Sequence, residues 1–210
     1  MLSPQAERLV TGLVLGAGSS TRFGRAKQLL PYGDGTLIGH VLDVARACRF
    51  DQLVVALGAA ADEIRASVNL ADAEVVVNDA YGTGCSSSIA VGLAAVDPRT
   101  ELLVLMLADQ PGVTAETVAA LLAGRDDALM AVCRYDDGRG HPIAFARGVF
   151  DELRSLHGDK GVWRLLDRRA AEVVEVPLHV RMPLDVDTPK DYSAVLAAAR
   201  LEPAPATSRG

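Results

Sequence analysis

The chain has 210 residues, half of them hydrophobic and 23% charged, a balance that fits one globular domain and excludes disorder as the main state. A net charge of −6, with four Phe, four Tyr and one Trp, excludes a general polyanion binder and leaves little for the base-stacking surfaces of a nucleic-acid partner. No run of about 18 uninterrupted apolar residues predicts a membrane span, the start lacks the basic region of a signal peptide, and Cys48, Cys85 and Cys133 form no disulfide frame or zinc motif, so a reduced, cytoplasmic setting is expected.

In chain order, the first predicted strand, Val10–Leu15, runs into Gly16-Ala17-Gly18-Ser19-Ser20-Thr21-Arg22-Phe23-Gly24-Arg25-Ala26-Lys27. Glycines directly after a strand let backbone N–H groups close on a phosphate, and Arg22 and Lys27 supply cations for phosphate oxygens and a leaving pyrophosphate. Taken alone, the same residues also fit a turn with solvated charges. As a dinucleotide fingerprint the loop is defective, because Thr21 stands where the third glycine belongs, and Gly-Lys-Ser/Thr never occurs. Next come helix Leu37–Arg49, strand Gln52–Leu57, helix Ala60–Val68, strand Glu74–Asn78 and helix Ser86–Val96. Strand Glu101–Leu107 leads into Ala108-Asp109-Gln110-Pro111. Asp109 thus stands beyond the carboxyl end of a buried strand, where open α/β sheets bind ligands and where a carboxylate holds Mg²⁺ against a triphosphate; a loop or helix-cap aspartate is the alternative. Helix Thr114–Ala123 and strand Leu129–Arg134 complete an alternation that predicts a three-layer α/β domain with a mostly parallel sheet, since strands apolar at nearly every position are covered on both faces.

After residue 134 the rhythm changes. Arg134–Ala146 reads as a hairpin turning at Asp136-Asp137-Gly138, followed by helices Gly148–Leu156 and Val162–Arg169, strand Glu172–Val176, a strand piece at Pro183–Val186 and a closing helix Pro189–Arg200. This part is expected to complete one edge of the same domain, residues 8–200, and to build a substrate wall; residues 201–210 are expected to fray. Cys85 reads as a small residue lining a loop or as a thiol activated at a helix start, Cys48 and Cys133 as core, and His40, His157 and His179 as structural. Arg164, Asp167, Arg168 and Arg169 read as a solvated helix face.

The glycine loop, Leu-Ala-Asp-Gln-Pro, Gly140-His141-Pro142, Gly158-Asp159-Lys160-Gly161 and Leu184-Asp185-Val186-Asp187-Thr188-Pro189 occur in this order. Together they resemble the molybdenum cofactor nucleotidyltransferase family (MobA-like), nearer its cytidylyltransferase branch, over roughly residues 10–200. The resemblance implies a Rossmann-like nucleotidyltransferase fold and Mg²⁺-dependent transfer of CMP from CTP to the phosphate of molybdopterin. It implies Lys27, Arg22 and Asp109 as catalytic residues and Asp109 with Asp187 as metal ligands. It places Gly16, Ala17, Gly18, Ser19, Asn78, Gly84, Ser86 and Ser87 at the nucleotide, and Gly140, His141, Pro142, Gly158, Asp159 and Gly161 at the pterin acceptor. One departure is Leu15-Gly16-Ala17-Gly18, where the family commonly shows Leu-Ala-Ala-Gly. Proteins of the nicotine blue oxidoreductase type look similar, which implies NADH or NADPH as the alternative cofactor and a quinone-like pigment as the alternative substrate. A non-catalytic pterin carrier docking on a molybdenum hydroxylase is a further alternative, against which intact Arg22, Lys27 and Asp109 weigh.

Overall fold

The computed structural model describes residues 8–18, 20 and 22–201. Ser19 and the tail from Glu202 onward therefore lie outside the described residues. A seven-stranded sheet runs in the order β5-β4-β1-β6-β8-β7-β9, with β1 Leu9–Gly16, β4 Gln52–Leu57, β5 Glu74–Val77, β6 Thr100–Leu107, β7 Met130–Tyr135, β8 Gly138–Ala146 and β9 Val173–Pro177. Pairings β1–β4, β1–β6, β4–β5 and β7–β9 are parallel, whereas β8 is antiparallel to both neighbours. The helices are α1 Leu37–Ala47, α2 Ala61–Ser67, α3 Cys85–Ala94, α4 Ala115–Gly124, α5 Phe150–Arg154, α6 Gly161–Arg168 and α7 Pro189–Leu201.

The three central strands show why their sequences are apolar throughout. Leu13 and Leu15, Val54 and Ala56, and Leu103 and Leu105 point to one face, where they pack with Ile89 and Leu93 of α3 and Leu165 and Leu166 of α6. The intervening Val14, Val55, Leu57, Val104 and Met106 point to the other, against Ile38, Val41 and Leu42 of α1, Ile64 of α2 and Val118 of α4. Side chains alternate across a strand, so burial of both faces demands an unbroken apolar run. The helix starts are local: Thr36 and Thr114 accept from the N–H three residues on and cap α1 and α4.

The expected strand piece Pro183–Val186 is not a strand. Pro183 has no N–H to give to a ladder, and Val186 donates its N–H to the Asp109 carbonyl at 2.9 Å, beyond the end of β6. Val186 is buried in a small cluster with Leu30, Leu37 and Val195, which anchors the segment over the carboxyl end of the sheet. Thr188-Pro189-Lys190-Asp191 then starts α7: Pro189 occupies the first helical position, and the Asp191 carboxylate accepts from the Thr188 N–H and hydroxyl, both at 2.8 Å. A two-residue hairpin, β2 Pro31–Tyr32 with β3 Gly35–Thr36, and a 3-10 turn at Lys27–Leu29 were not expected from the sequence. Among the described residues no helix is long and apolar enough to cross a membrane.

Candidate active site

Strand order reverses direction at β1: β4 and β5 lie to one side and β6 to the other. The crevice outside the carboxyl ends of β1 and β6 is where such sheets bind ligands. A cavity of about 690 Å³ opens there.

On the β1 side, the glycine loop is fixed by Gln28. This buried side chain donates to the carbonyls of Gly16 and Gly18 at 2.9 and 3.0 Å and accepts from the Ser20 hydroxyl at 3.1 Å. The Ser20 hydroxyl in turn accepts from the Lys27 N–H at 3.0 Å. Ala17, Gly18, Arg22 and Lys27 line the cavity, while Gly16 sits behind it, where a Cβ would stand 3.1 Å from Ile38. Arg22 is exposed and makes no ion pair among the described residues.

Opposite, the Ala108 N–H donates to the Leu15 carbonyl at 3.0 Å and sets Asp109 at the cavity floor. Lys27 Nζ lies 2.6 Å from Asp109 Oδ2 and 2.8 Å from Asp187 Oδ1, so one ammonium joins three distant parts of the chain. Burial pulls the Lys27 pKa down, but Asp109 and then Asp187 more than offset this, and the net displacement is upward from the ordinary lysine value. Asp185, which the sequence reading passed over as a site residue, also lines the cavity. Partial desolvation, followed by the negative charges of Asp109 and Asp187, pushes it up to about 6, with a hydrogen bond from Gln110 acting the other way.

The donor set can be tested against a magnesium ion. Asp109 and Asp187 already converge on a single cation, and Mg²⁺ takes one or two carboxylates together with phosphate oxygens and waters. Among the described residues no group of three or more His, Cys, Asp or Glu is placed to hold a metal by itself. The set therefore fits a metal that arrives with a phosphate ligand.

The other end of the cavity is walled by the start of α3 and the turn before α6. Two elements far apart in sequence are stitched here: the Ser86 hydroxyl donates to the Gly158 carbonyl at 2.6 Å and the Cys85 N–H to Asp159 Oδ1 at 3.0 Å. Gly84, Asp159 and His141 line the cavity. Asn78, Ser86 and Ser87 do not. Asn78 is buried and spends its amide on the hydroxyls of Ser87 and Ser88, and Ser87 donates to the Gly84 carbonyl. Gly140, Pro142, Gly158 and Gly161 likewise stand behind the wall: Gly161 leaves no room for a Cβ, which would fall 2.3 Å from Ser86 Oγ. Burial drives the His141 pKa down to about 4, so its imidazole is neutral near pH 7. Desolvation, then Asp159 and Asp109, raise the Cys85 thiol to about 11, which removes the activated-thiolate reading. Cys133 is core, but Cys48 is only half-buried. The sequence reading also missed Trp163, which lines this end and packs edge-on with His141 at 5.5 Å.

The chain is 34% identical over 161 residues to the nicotine blue oxidoreductase of Paenarthrobacter nicotinovorans, covering 72% of this chain and 78% of that one. The crystal structure of the Mycobacterium tuberculosis Rv0371c homologue from Mycobacterium sp. strain JC1 superposes with a TM-score of 0.87 at 53% identity, over 92% of this chain and 98% of that one. Rv0371c of Mycobacterium tuberculosis H37Rv in complex with manganese gives 0.82 at 46%, over 90% and 98%. The MobA-like NTP transferase domain matches residues 12–173, and with its glycine loop, its aspartate beyond β6 and its three-layer sheet the chain belongs to that family.

Proposed function

We propose that the protein transfers CMP from CTP to the terminal phosphate of molybdopterin, with release of pyrophosphate, in a reaction that requires a divalent metal. The observation that carries this reading is the charge balance of the cavity. Asp109, Asp159, Asp185 and Asp187 line it against Arg22 and Lys27, with His141 neutral. A triphosphate entering such a wall meets net repulsion unless a multivalent cation enters with it. When bound at Asp109 and Asp187, the metal supplies positive charge to the triphosphate oxygens.

The chain's own groups do the rest. Gln28 pins the carbonyls of Gly16 and Gly18, and the backbone N–H groups of the glycine loop would bind the phosphates. Arg22 and Lys27 are the cations available to neutralise the charge that builds on the leaving pyrophosphate. An oxygen of the acceptor phosphate attacks the α-phosphorus, and the bond to the pyrophosphate breaks as that group takes the electron pair. The acceptor phosphate is ionised at neutral pH, so no general base is required and catalysis rests on positioning and charge. CTP and the phosphorylated pterin are then the small-molecule partners, in a cytoplasmic setting. A molybdenum hydroxylase is the protein that would receive the product; its capture without any nucleotide turnover would favour a carrier role instead.

A second reading has a specific observation behind it, the 34% identity to nicotine blue oxidoreductase: reduction of a quinone-like pigment by NADH or NADPH. A thermal-shift panel with CTP, GTP, ATP, NADH and NADPH, each with and without Mg²⁺, separates the two. A ligand at ~100 times its dissociation constant stabilises by about 2.7 kcal/mol, a shift of several degrees at this size. The transferase reading requires a shift with CTP only when Mg²⁺ is present, followed by label transfer from α-labelled CTP to molybdopterin. A metal-independent shift with a pyridine nucleotide, and none with CTP, would establish the reductase instead.

A further inference from the structure

We propose that a second cavity, back to back with the first, is a ligand site for an apolar amine, and that its occupant steadies the segment carrying Asp185 and Asp187. The proposal rests on no nucleotide or acceptor assignment.

The second cavity measures about 790 Å³ and shares no lining residue with the first. One wall is the link that follows β9, with Met182, Pro183 and Leu184; the others come from Ala120 of α4 and from Val195 and Ala199 of α7. Such a volume with such a lining is that of a site for a small molecule. Val180 and Leu184 of the link wall, 56% and 51% exposed, leave more of their surface in water than any other large hydrophobic residue described. Covering them stabilises in proportion to the apolar area removed from water.

Charge decides which apolar molecule fits. Glu116, Asp137 and Arg181 line the cavity and none is in an ion pair among the described residues, so with His179 counted as neutral the lining carries one negative charge. Asp137 Oδ1 accepts from the Met182 N–H at 2.8 Å, which ties this carboxylate to the link and leaves Oδ2 to a ligand. A hydrocarbon body with a single ammonium answers both the open apolar surface and the charge.

Two short segments reach from this cavity to the first. In Asp109-Gln110-Pro111-Gly112, Asp109 lines the first cavity and Gly112 the second; in Pro183-Leu184-Asp185-Val186-Asp187, the first two residues line the second cavity and the two aspartates the first. The segments meet twice: a Cβ on Gly112 would fall 3.1 Å from Pro183 Cβ, and the Val186 N–H donates to the Asp109 carbonyl at 2.9 Å. Among the described residues the link makes no other backbone bond between Met182 and Val186. An occupant packed on Pro183 and Leu184 binds the link when it is seated and not when it is lifted, so it favours the seated state by its own binding.

The test uses the full chain, its amides assigned by NMR, and three probes that share one ring: 2-naphthylmethylamine, cationic at neutral pH, 2-naphthalenemethanol and 2-naphthoate. The amine should bind about 2- to 5-fold more tightly than the alcohol, and the carboxylate most weakly. Asp137→Asn, which keeps an acceptor for the Met182 N–H, should remove the preference for the amine. Ala120→Phe and Ala199→Phe fill the cavity from different helices, and each, with the circular dichroism of the wild type, should abolish binding. Hydrogen exchange reads the link. With the amine at ten times its dissociation constant, the Val186 N–H should exchange about tenfold more slowly, while the Thr83 N–H, in a 3-10 turn outside this cavity, keeps its rate. No binding of the amine, an affinity order other than this one, binding retained in both filled variants, or unchanged Val186 exchange at saturation each overturns the proposal. No readout involves nucleotide or metal, so failure of the transferase reading leaves this site standing, and failure of this site leaves the transferase standing.

Discussion

Lys27 is the residue on which the site turns. Its side chain, 11% exposed, sets the ammonium between Asp109 and Asp187, so a metal ion held by those two carboxylates would compete with it. Lys27→Met keeps the length of the side chain and removes the charge. It should tighten Mn²⁺ binding in the absence of nucleotide about tenfold, a difference of ~1.4 kcal/mol, as read by electron paramagnetic resonance; equal affinities would show that the ammonium does not stand in the way. In turnover the effect has the opposite sign. Lys27→Ala should cost about 10²–10³ in kcat, and near-full turnover at saturating substrate would remove its catalytic role. Asp109→Asn should weaken the dependence of turnover on Mg²⁺. His141 brings a pH dependence of the fold. Its folded pKa of about 4 lies below the ordinary value of 6.5, so the neutral ring's contribution is complete above about 6.5 and is lost as pH falls toward 4. The unfolding free energy from urea titrations should fall across that window by on the order of 1–3 kcal/mol, and His141→Phe should flatten the slope. Lys27, Asp109 and Asp187 were legible in the sequence because each sits in a motif. Gln28, Asp185 and Trp163 were not, because their roles arise only when distant segments meet. Asn78 and Ser86 were legible as important but not as buried brackets, since a hydroxyl or amide reads alike whether it faces a ligand or a backbone carbonyl.

At the scale of elements, the joint between α3 and the turn before α6 shapes the acceptor end of the cavity. Gly84 adopts φ +112°, a conformation that side-chain-bearing residues rarely take, and a Cβ there would fall 2.7 Å from the Gly158 backbone. Backbone cannot swing aside as a side chain can. Gly84→Ala should therefore destabilise by about 1–3 kcal/mol, visible as a lower urea midpoint at constant m, and should weaken ligand binding at both ends of the cavity. An unchanged midpoint would mean that the joint relaxes. The central strands were legible as elements because two-sided burial writes itself as an unbroken apolar run. The segment around Val186 misled for a different reason: Leu184 and Val186 alternate like a strand, yet they belong to an extended link that crosses the sheet end with one backbone bond to the Asp109 carbonyl.

For the whole molecule, the α/β class and three-layer build follow from the alternation of runs, but the strand order does not. The turn at Asp136-Asp137-Gly138 signals the antiparallel pairing of β7 with β8, but no local signal places β8 against β6 or β9 parallel to β7. The family match ends at residue 173, so Asp185 and Asp187 reach the site on a C-terminal segment beyond it. The bond between Lys27 and Asp187 closes over 160 positions of sequence. Contacts of such separation are slow to form, because the chain between them must first be ordered. The functional centre is therefore a late event in the history of each molecule: a refolding chain should regain its helical circular dichroism before it regains the thermal shift with CTP and Mg²⁺, and a polypeptide ending before Asp185 should gain secondary structure without ever gaining that response.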